Sequence, residues 1–209
     1  MSNYYNNNNS KSPKYHWKRT SDQYEYVSLE ECKDHLNIYD TLDHTYLTQI
    51  MLTACSLAES YVGDYFNPTT IQLYTPNLCT ATLPHQGANS ITSITYLDAA
   101  NVLQTVPTTD YYLDLTSRQP TVRFEAGAIR PVLSTRNNPV TITYVTQLGD
   151  ITRDARDNVE PWGSNDIKMS VLMYCSEIFY NRDNITEGSV NRLPLCSERL
   201  LSHYRRVVV

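Results

Sequence analysis

Residues 43–75 read DHTYLTQIMLTACSLAESYVGDYFNPTTIQLYT, and their hydrophobic period changes once. Leu47, Ile50, Met51, Ala54, Leu57, Ala58, Tyr61 and Tyr65 recur at helical spacing and form one apolar stripe. A stripe of this kind is far more often core than a cofactor site. Asp43 is placed to cap the helix, and Gly63 and Pro68 close it. From residue 70 the pattern turns to alternating β-branched positions, which predicts a strand over 70–75. A long helix running into a strand fixes the chain as mixed α and β.

Outward from this stretch, the N-terminal side carries Ser28-Leu29-Glu30-Glu31, a capping box that opens a short helix over about 28–37. Downstream, residues 91–97, 102–106, 111–115, 121–125 and 139–146 are short, Tyr-rich and β-branched. Residues 98–101 (Asp-Ala-Ala-Asn) are suited to a turn between two antiparallel strands. A third long helix is expected over about 166–181, capped by Ser164 or Asn165, with Ile167, Val171, Leu172, Cys175, Ile178 and Phe179 as its apolar positions. Pro194 is placed to start a last helix through about 204. The order is helix–helix, β insertion, helix–helix. The expected fold is therefore α+β, mainly α: a bundle of about four helices (24–204) with an antiparallel β unit inserted at about 69–147 and flexible N- and C-terminal arms.

The arms are residues 1–23 and 205–209. The first is polar and basic, and five of its first nine residues are Asn. It cannot bury enough apolar surface to fold alone. Tyr4, Tyr5, Tyr15 and Trp17 are its exceptions and are candidate anchors onto a partner. Removing residues 1–23 should leave the melting temperature unchanged. The C-terminal end, with Arg199, Tyr204, Arg205 and Arg206 ahead of Val207, Val208 and Val209, is a basic arm with a β-branched tip able to add a strand to a partner.

The formal charge of −5 argues against sequence-independent nucleic-acid binding. Charge is also segregated. Residues 21–64 carry nine acids and one base (Lys33), and both ends are basic. Tyr outnumbers Phe seventeen to three, which suits half-buried and interface positions. Five cysteines without a CxxC pair read as buried free thiols. There is no secretory signal pattern, and no stretch approaches the ~18 apolar residues that span a bilayer, so no membrane partner is expected. The five His residues lack metal-ligand spacing, and Cys79 with His85 has no third ligand. No GxSxG, P-loop or GxGxxG occurs. No catalytic residue, cofactor or metal is expected.

The ordered set of these segments resembles the phage head–tail connector family, small adaptor proteins beneath the portal of tailed phages. The likeness runs over about residues 26–206. It is carried by residues 27–36, by 43–65 ending in Ala58-Glu59-Ser60-Tyr61-Val62-Gly63-Asp64-Tyr65, and by the strands at 91–98 and 139–145. Asp166-Ile167-Lys168 with Phe179-Tyr180-Asn181-Arg182, Leu193-Pro194 and residues 200–206 complete it. The chain departs from the family in its N-terminal extension, in a longer stretch around 116–138, and at Gln147-Leu148-Gly149. The resemblance implies a non-enzymatic virion protein at the head–tail junction (neck), present in the host cytoplasm during assembly. It implies a homomeric ring of twelve subunits and a C-terminal arm docked on the portal protein. A tail, stopper or other neck protein would bind the opposite face, and DNA would pass through the channel without sequence-specific binding. The alternative is a monomeric binding or assembly-regulating module with no catalytic activity.

Overall fold

The computed structural model describes residues 16–21, 26–38, 44–116, 119–128, 130–148, 164–181 and 195–205. Among the described residues, four helices form one layer: α1 (Leu29–Leu36), α2 (His44–Val62), α3 (Ser164–Tyr180) and α4 (Leu195–Leu201). The capping box forms as the sequence reads. The Glu31 N–H donates to Ser28 Oγ at 3.2 Å, and the Ser28 N–H donates to Glu31 Oε2 at 2.9 Å. Asn37 turns left-handed (φ 54°) to end α1, and its N–H and that of Ile38 return to the Asp34 and Lys33 carbonyls. Gly63 (φ 80°) ends α2 in the same region, where a side chain would be strained. Asp43 and Pro194, expected at helix starts, lie outside the described residues.

The stripe of α2 buries Leu47, Ile50, Met51, Ala54 and Ala58 against Cys32, Leu36, Ile167, Val171 and Cys175. Leu57 departs from the stripe and is 47% exposed, while Cys55 and Val62 are buried. The Lys168 ammonium donates to Glu31 Oε1 at 2.7 Å, and Tyr180 Oη donates to the Leu36 carbonyl at 3.1 Å, so α3 is tied to α1 at both ends. Of the five cysteines, Cys32, Cys55 and Cys175 are buried. Cys79 and Cys196 are exposed, which corrects the expectation that all five are core thiols.

Among the described residues, the β part has eight strands in two antiparallel sheets: β1 (His16–Arg19), β2 (Thr69–Thr75), β3 (Ala81–Thr82), β4 (Ala88–Leu97), β5 (Leu103–Thr105), β6 (Tyr111–Asp114), β7 (Thr121–Phe124) and β8 (Val140–Thr146). The larger sheet has the order β1-β2-β8-β4-β5 and the smaller β3-β7-β6. Leu73 and Ile94 both pair with Ile142 of the central β8. Strands β2 and β8 alternate strictly between buried and half-buried residues, which gives the sheets a core of their own around Ile71, Leu73, Ile94, Val122, Ile142 and Tyr144. The expectation of a mainly α protein is therefore wrong. Strand is comparable in extent to helix, because the Thr- and Tyr-rich segments assemble a second core.

Within residues 1–23, expected to be a flexible extension, His16–Arg19 form strand β1. His16–Arg19 pairs with residues 71–74 of β2. The physical reason is an alternation hidden in a basic segment: Trp17 and Arg19 are half-buried, His16 and Lys18 exposed. Among the described residues no helix is long and apolar enough to cross a membrane.

Candidate docking site at the junction of helices and sheet

The two layers meet where α2 gives way to β2. Beyond Gly63, Asp64 is buried and its carboxylate accepts three hydrogen bonds. Tyr65 N–H (2.8 Å) and the Thr146 hydroxyl (2.8 Å) reach Oδ1, and Gly87 N–H (2.7 Å) reaches Oδ2. One side chain thus joins the end of α2, the β3–β4 turn and the end of β8. Gly87 must be glycine, since a Cβ there would lie 2.8 Å from Thr146 Oγ1 and 3.0 Å from the Gln147 carbonyl. One turn back on α2, buried Glu59 accepts from Phe66 N–H at 3.2 Å. Burial raises its pKa to about 7, against the opposing pull of the Phe66 N–H and of Arg19.

The N-terminal strand docks on this junction. The Arg19 guanidinium lies 5.0 Å from the Tyr65 ring centre. Trp17 meets the edge of His85 (4.8 Å) and of Tyr65 (6.5 Å). His85 is buried and its Nδ1 is 2.6 Å from Tyr144 Oη. The C-terminal segment leaves from the same place. Gln86 Nε2 donates to the Tyr204 carbonyl, and the Arg205 guanidinium sits 5.2 Å over the Tyr61 ring.

The structure therefore brings Trp17, Tyr204 and Arg205 to one junction, although they stand at opposite ends of the sequence. Arg199 is exposed on α4, and its carbonyl accepts from Ser202 Oγ at 2.7 Å. Tyr4, Tyr5, Tyr15, Arg206, Val207, Val208 and Val209 lie outside the described residues. Sequence reasoning missed Asp64, Gly87, Thr146 and Arg19 as members of the site. His85 serves the aromatic cluster, and Cys79 is exposed in the β2–β3 connection. Among the described residues no group of three or more His, Cys, Asp or Glu could hold a metal ion.

No family model and no curated protein sequence matches the chain. Solved structures do. The chain is similar to a chain of the neck of an empty gene transfer agent particle computed with C6 symmetry (TM-score 0.68, 16% identity). It is similar also to a chain of the virion of the native gene transfer agent particle (0.69, 17%) and to one of the native particle's neck computed with C12 symmetry (0.65, 18%). Each likeness covers 92% of this chain and 96% of the other. At these identities it is the fold that is shared. Helical layer, two sheets and their junction together make a fold shared with chains of the gene transfer agent particle.

Proposed function

We propose that the chain is a structural neck protein of a phage-like particle, a head–tail connector. In this reading it forms a homomeric ring of twelve subunits that joins the portal protein to a tail, stopper or other neck protein. It has no catalytic activity, and DNA passes through the ring without sequence-specific binding. The observation that carries the reading is the end-to-end fold likeness to neck chains, which leaves little of either chain unmatched. The C12 symmetry of one of those necks suits a ring of twelve. Two features add support. Both terminal segments depart from one junction, so a single subunit can reach two neighbours from one anchored point. The net charge of −5 suits a conduit that repels phosphate and does not hold it.

The test is attachment to purified portal. The full chain is expected to co-sediment with portal rings, and a chain ending at residue 204 to remain folded and stay in the supernatant. Equal co-sedimentation of the two would remove the docking role from the arm of Arg205, Arg206, Val207, Val208 and Val209. No co-sedimentation of the full chain would remove the connector reading itself.

A further inference from the structure

Three consecutive residues of the turn between β3 and β4 each hold a different part of the chain. His85 is buried, lies 4.8 Å from the Trp17 ring of β1 and places Nδ1 2.6 Å from Tyr144 Oη. Gln86 is half-buried and donates from Nε2 to the Tyr204 carbonyl. Gly87 donates its N–H to Asp64 Oδ2 at 2.7 Å. The turn is stiff. Pro84 has a fixed φ, the Ala88 N–H closes back on the His85 carbonyl at 3.4 Å, and the space around Gly87 is filled by Thr146 and the Gln147 backbone. A shift of His85 therefore carries Gln86 with it. Asp64 adds a second link. Its Oδ1 takes the Tyr65 N–H at 2.8 Å while Oδ2 holds Gly87, so the two rings that Trp17 meets, Tyr65 and His85, are fixed to each other. Those rings stand 5.4 Å apart.

The two segments that meet this turn are lightly held. Strand β1 is four residues long and lies at the edge of its sheet, paired with β2 alone. Residues 202–205, the root of the C-terminal arm, follow α4 as turns. The Tyr204 N–H donates to the Leu201 carbonyl (3.0 Å) and the Arg205 N–H to the Ser202 carbonyl (3.3 Å), with the Arg205 guanidinium over Tyr61. Segments of this kind open at a lower free energy than the sheet or bundle they rest on. Each also gains from a turn that the other has already ordered. The first to dock meets the entropy cost of fixing His85 and Gln86, and the second does not.

We infer that the turn at residues 84–87 couples the two ends of the chain. Strand β1, docked through Trp17, holds His85, and His85 so held keeps Gln86 on the Tyr204 carbonyl, which sets how the C-terminal arm leaves the fold. Release of β1 loosens the arm root, and by linkage release of the arm root loosens β1. Trp17 and Gln86 are positioning residues for the arm, acting without contact to a partner. The coupling is a property of the single chain. Its use rests on the connector reading above, in which a neighbour that pulls on the residues ahead of β1 changes the arm's hold on the portal.

Hydrogen exchange on the full chain, read by mass spectrometry of its fragments, tests the coupling. Trp17→Ala should speed exchange of residues 202–205 about fivefold or more, although Trp17 touches none of them. Gln86→Ala should speed exchange at Thr20, whose N–H donates to the Thr70 carbonyl beside β1. The Val106 N–H, bonded to the Ile94 carbonyl on the far side of the sheet, should exchange as in wild type. In the double variant, residues 202–205 should speed up by less than the product of the two single effects, since both act through one turn. Trp17→Phe, which keeps an aromatic edge against His85, should fall between wild type and Trp17→Ala. Unchanged exchange at residues 202–205 in Trp17→Ala overturns the inference. So do single effects that multiply in full, and so does an equal rise at Val106 in both Trp17 variants, which marks a general loosening. Co-sedimentation with portal separates the two claims. A wild-type chain that fails to bind portal overturns the connector reading, while the exchange rates decide the coupling by themselves.

Discussion

Asp64 shows how one residue can fix the relation of two layers. Its carboxylate is buried and takes hydrogen bonds from residues 23 and 82 positions away as well as from its neighbour. Asp64→Ala should strand the Gly87 N–H and the Thr146 hydroxyl, at about 1–3 kcal/mol for each buried group left unpaired. Urea denaturation at neutral pH reads this directly, and a loss under 1 kcal/mol would show that the junction is not held there. Gly87→Ala should cost roughly 1–3 kcal/mol through the clash with Thr146 and the Gln147 backbone. Glu59 makes the junction pH-sensitive. Its folded pKa, about 7, is above its ordinary value of 4.5. Its contribution to stability is therefore complete below pH ~4.5 and lost as the pH rises through about 7. Glu59→Gln should flatten the fall in melting temperature between pH 5 and 8. An unchanged pH profile would mean that Glu59 stays ionised across that range. None of these roles was legible in the sequence, because a carboxylate's partners across 82 residues leave no local pattern. The string Tyr61-Val62-Gly63-Asp64-Tyr65 announced a helix end and nothing more.

At the scale of elements the sequence was more readable. A capping box, a stripe at period 3.6 and alternating β-branched runs are local signals, and α1, α2, α3, β2 and the strands from β4 onward follow them within a few residues. Two short strands were missed for the same reason that the others were found. Ala81–Thr82 is too brief to show a period, and His16–Arg19 lies in a basic, Asn-rich context whose composition masks the alternation. The β content was underweighted because a sheet's stability comes from pairing between distant strands, which periodicity does not count. Strand β1 puts one expectation, that residues 1–23 can be removed without loss of stability, to a direct test. Removal of residues 1–15 should leave the melting temperature within about 1 °C. Removal of residues 1–19 should lower it by roughly 2–4 °C, as for a loss of about 1 kcal/mol in a chain of this length. That deletion takes away Trp17 from His85 and Tyr65, and Arg19 from Tyr65. Equal melting of the two truncated forms would show that β1 contributes nothing to the fold.

For the whole molecule, the layers, the sheet order and the convergence of both terminal segments are properties of the folded chain. The sequence offered their ingredients: an acid-rich helical pair, a β-rich middle and two basic ends. It could not show that Trp17 and Arg205 meet residues four apart, Tyr65 just beyond α2 and Tyr61 in its last turn. On the connector proposal, that convergence gives both terminal segments one anchored point on the fold. The connector account stands or falls on where the protein sits in an assembled particle. Electron cryo-microscopy of the native neck, with this chain labelled at its N-terminus, measures that most directly. The account predicts a closed ring of twelve labelled copies between portal and tail, with DNA on its axis. Particles whose neck lacks the label, or carries it as single scattered copies, would contradict it.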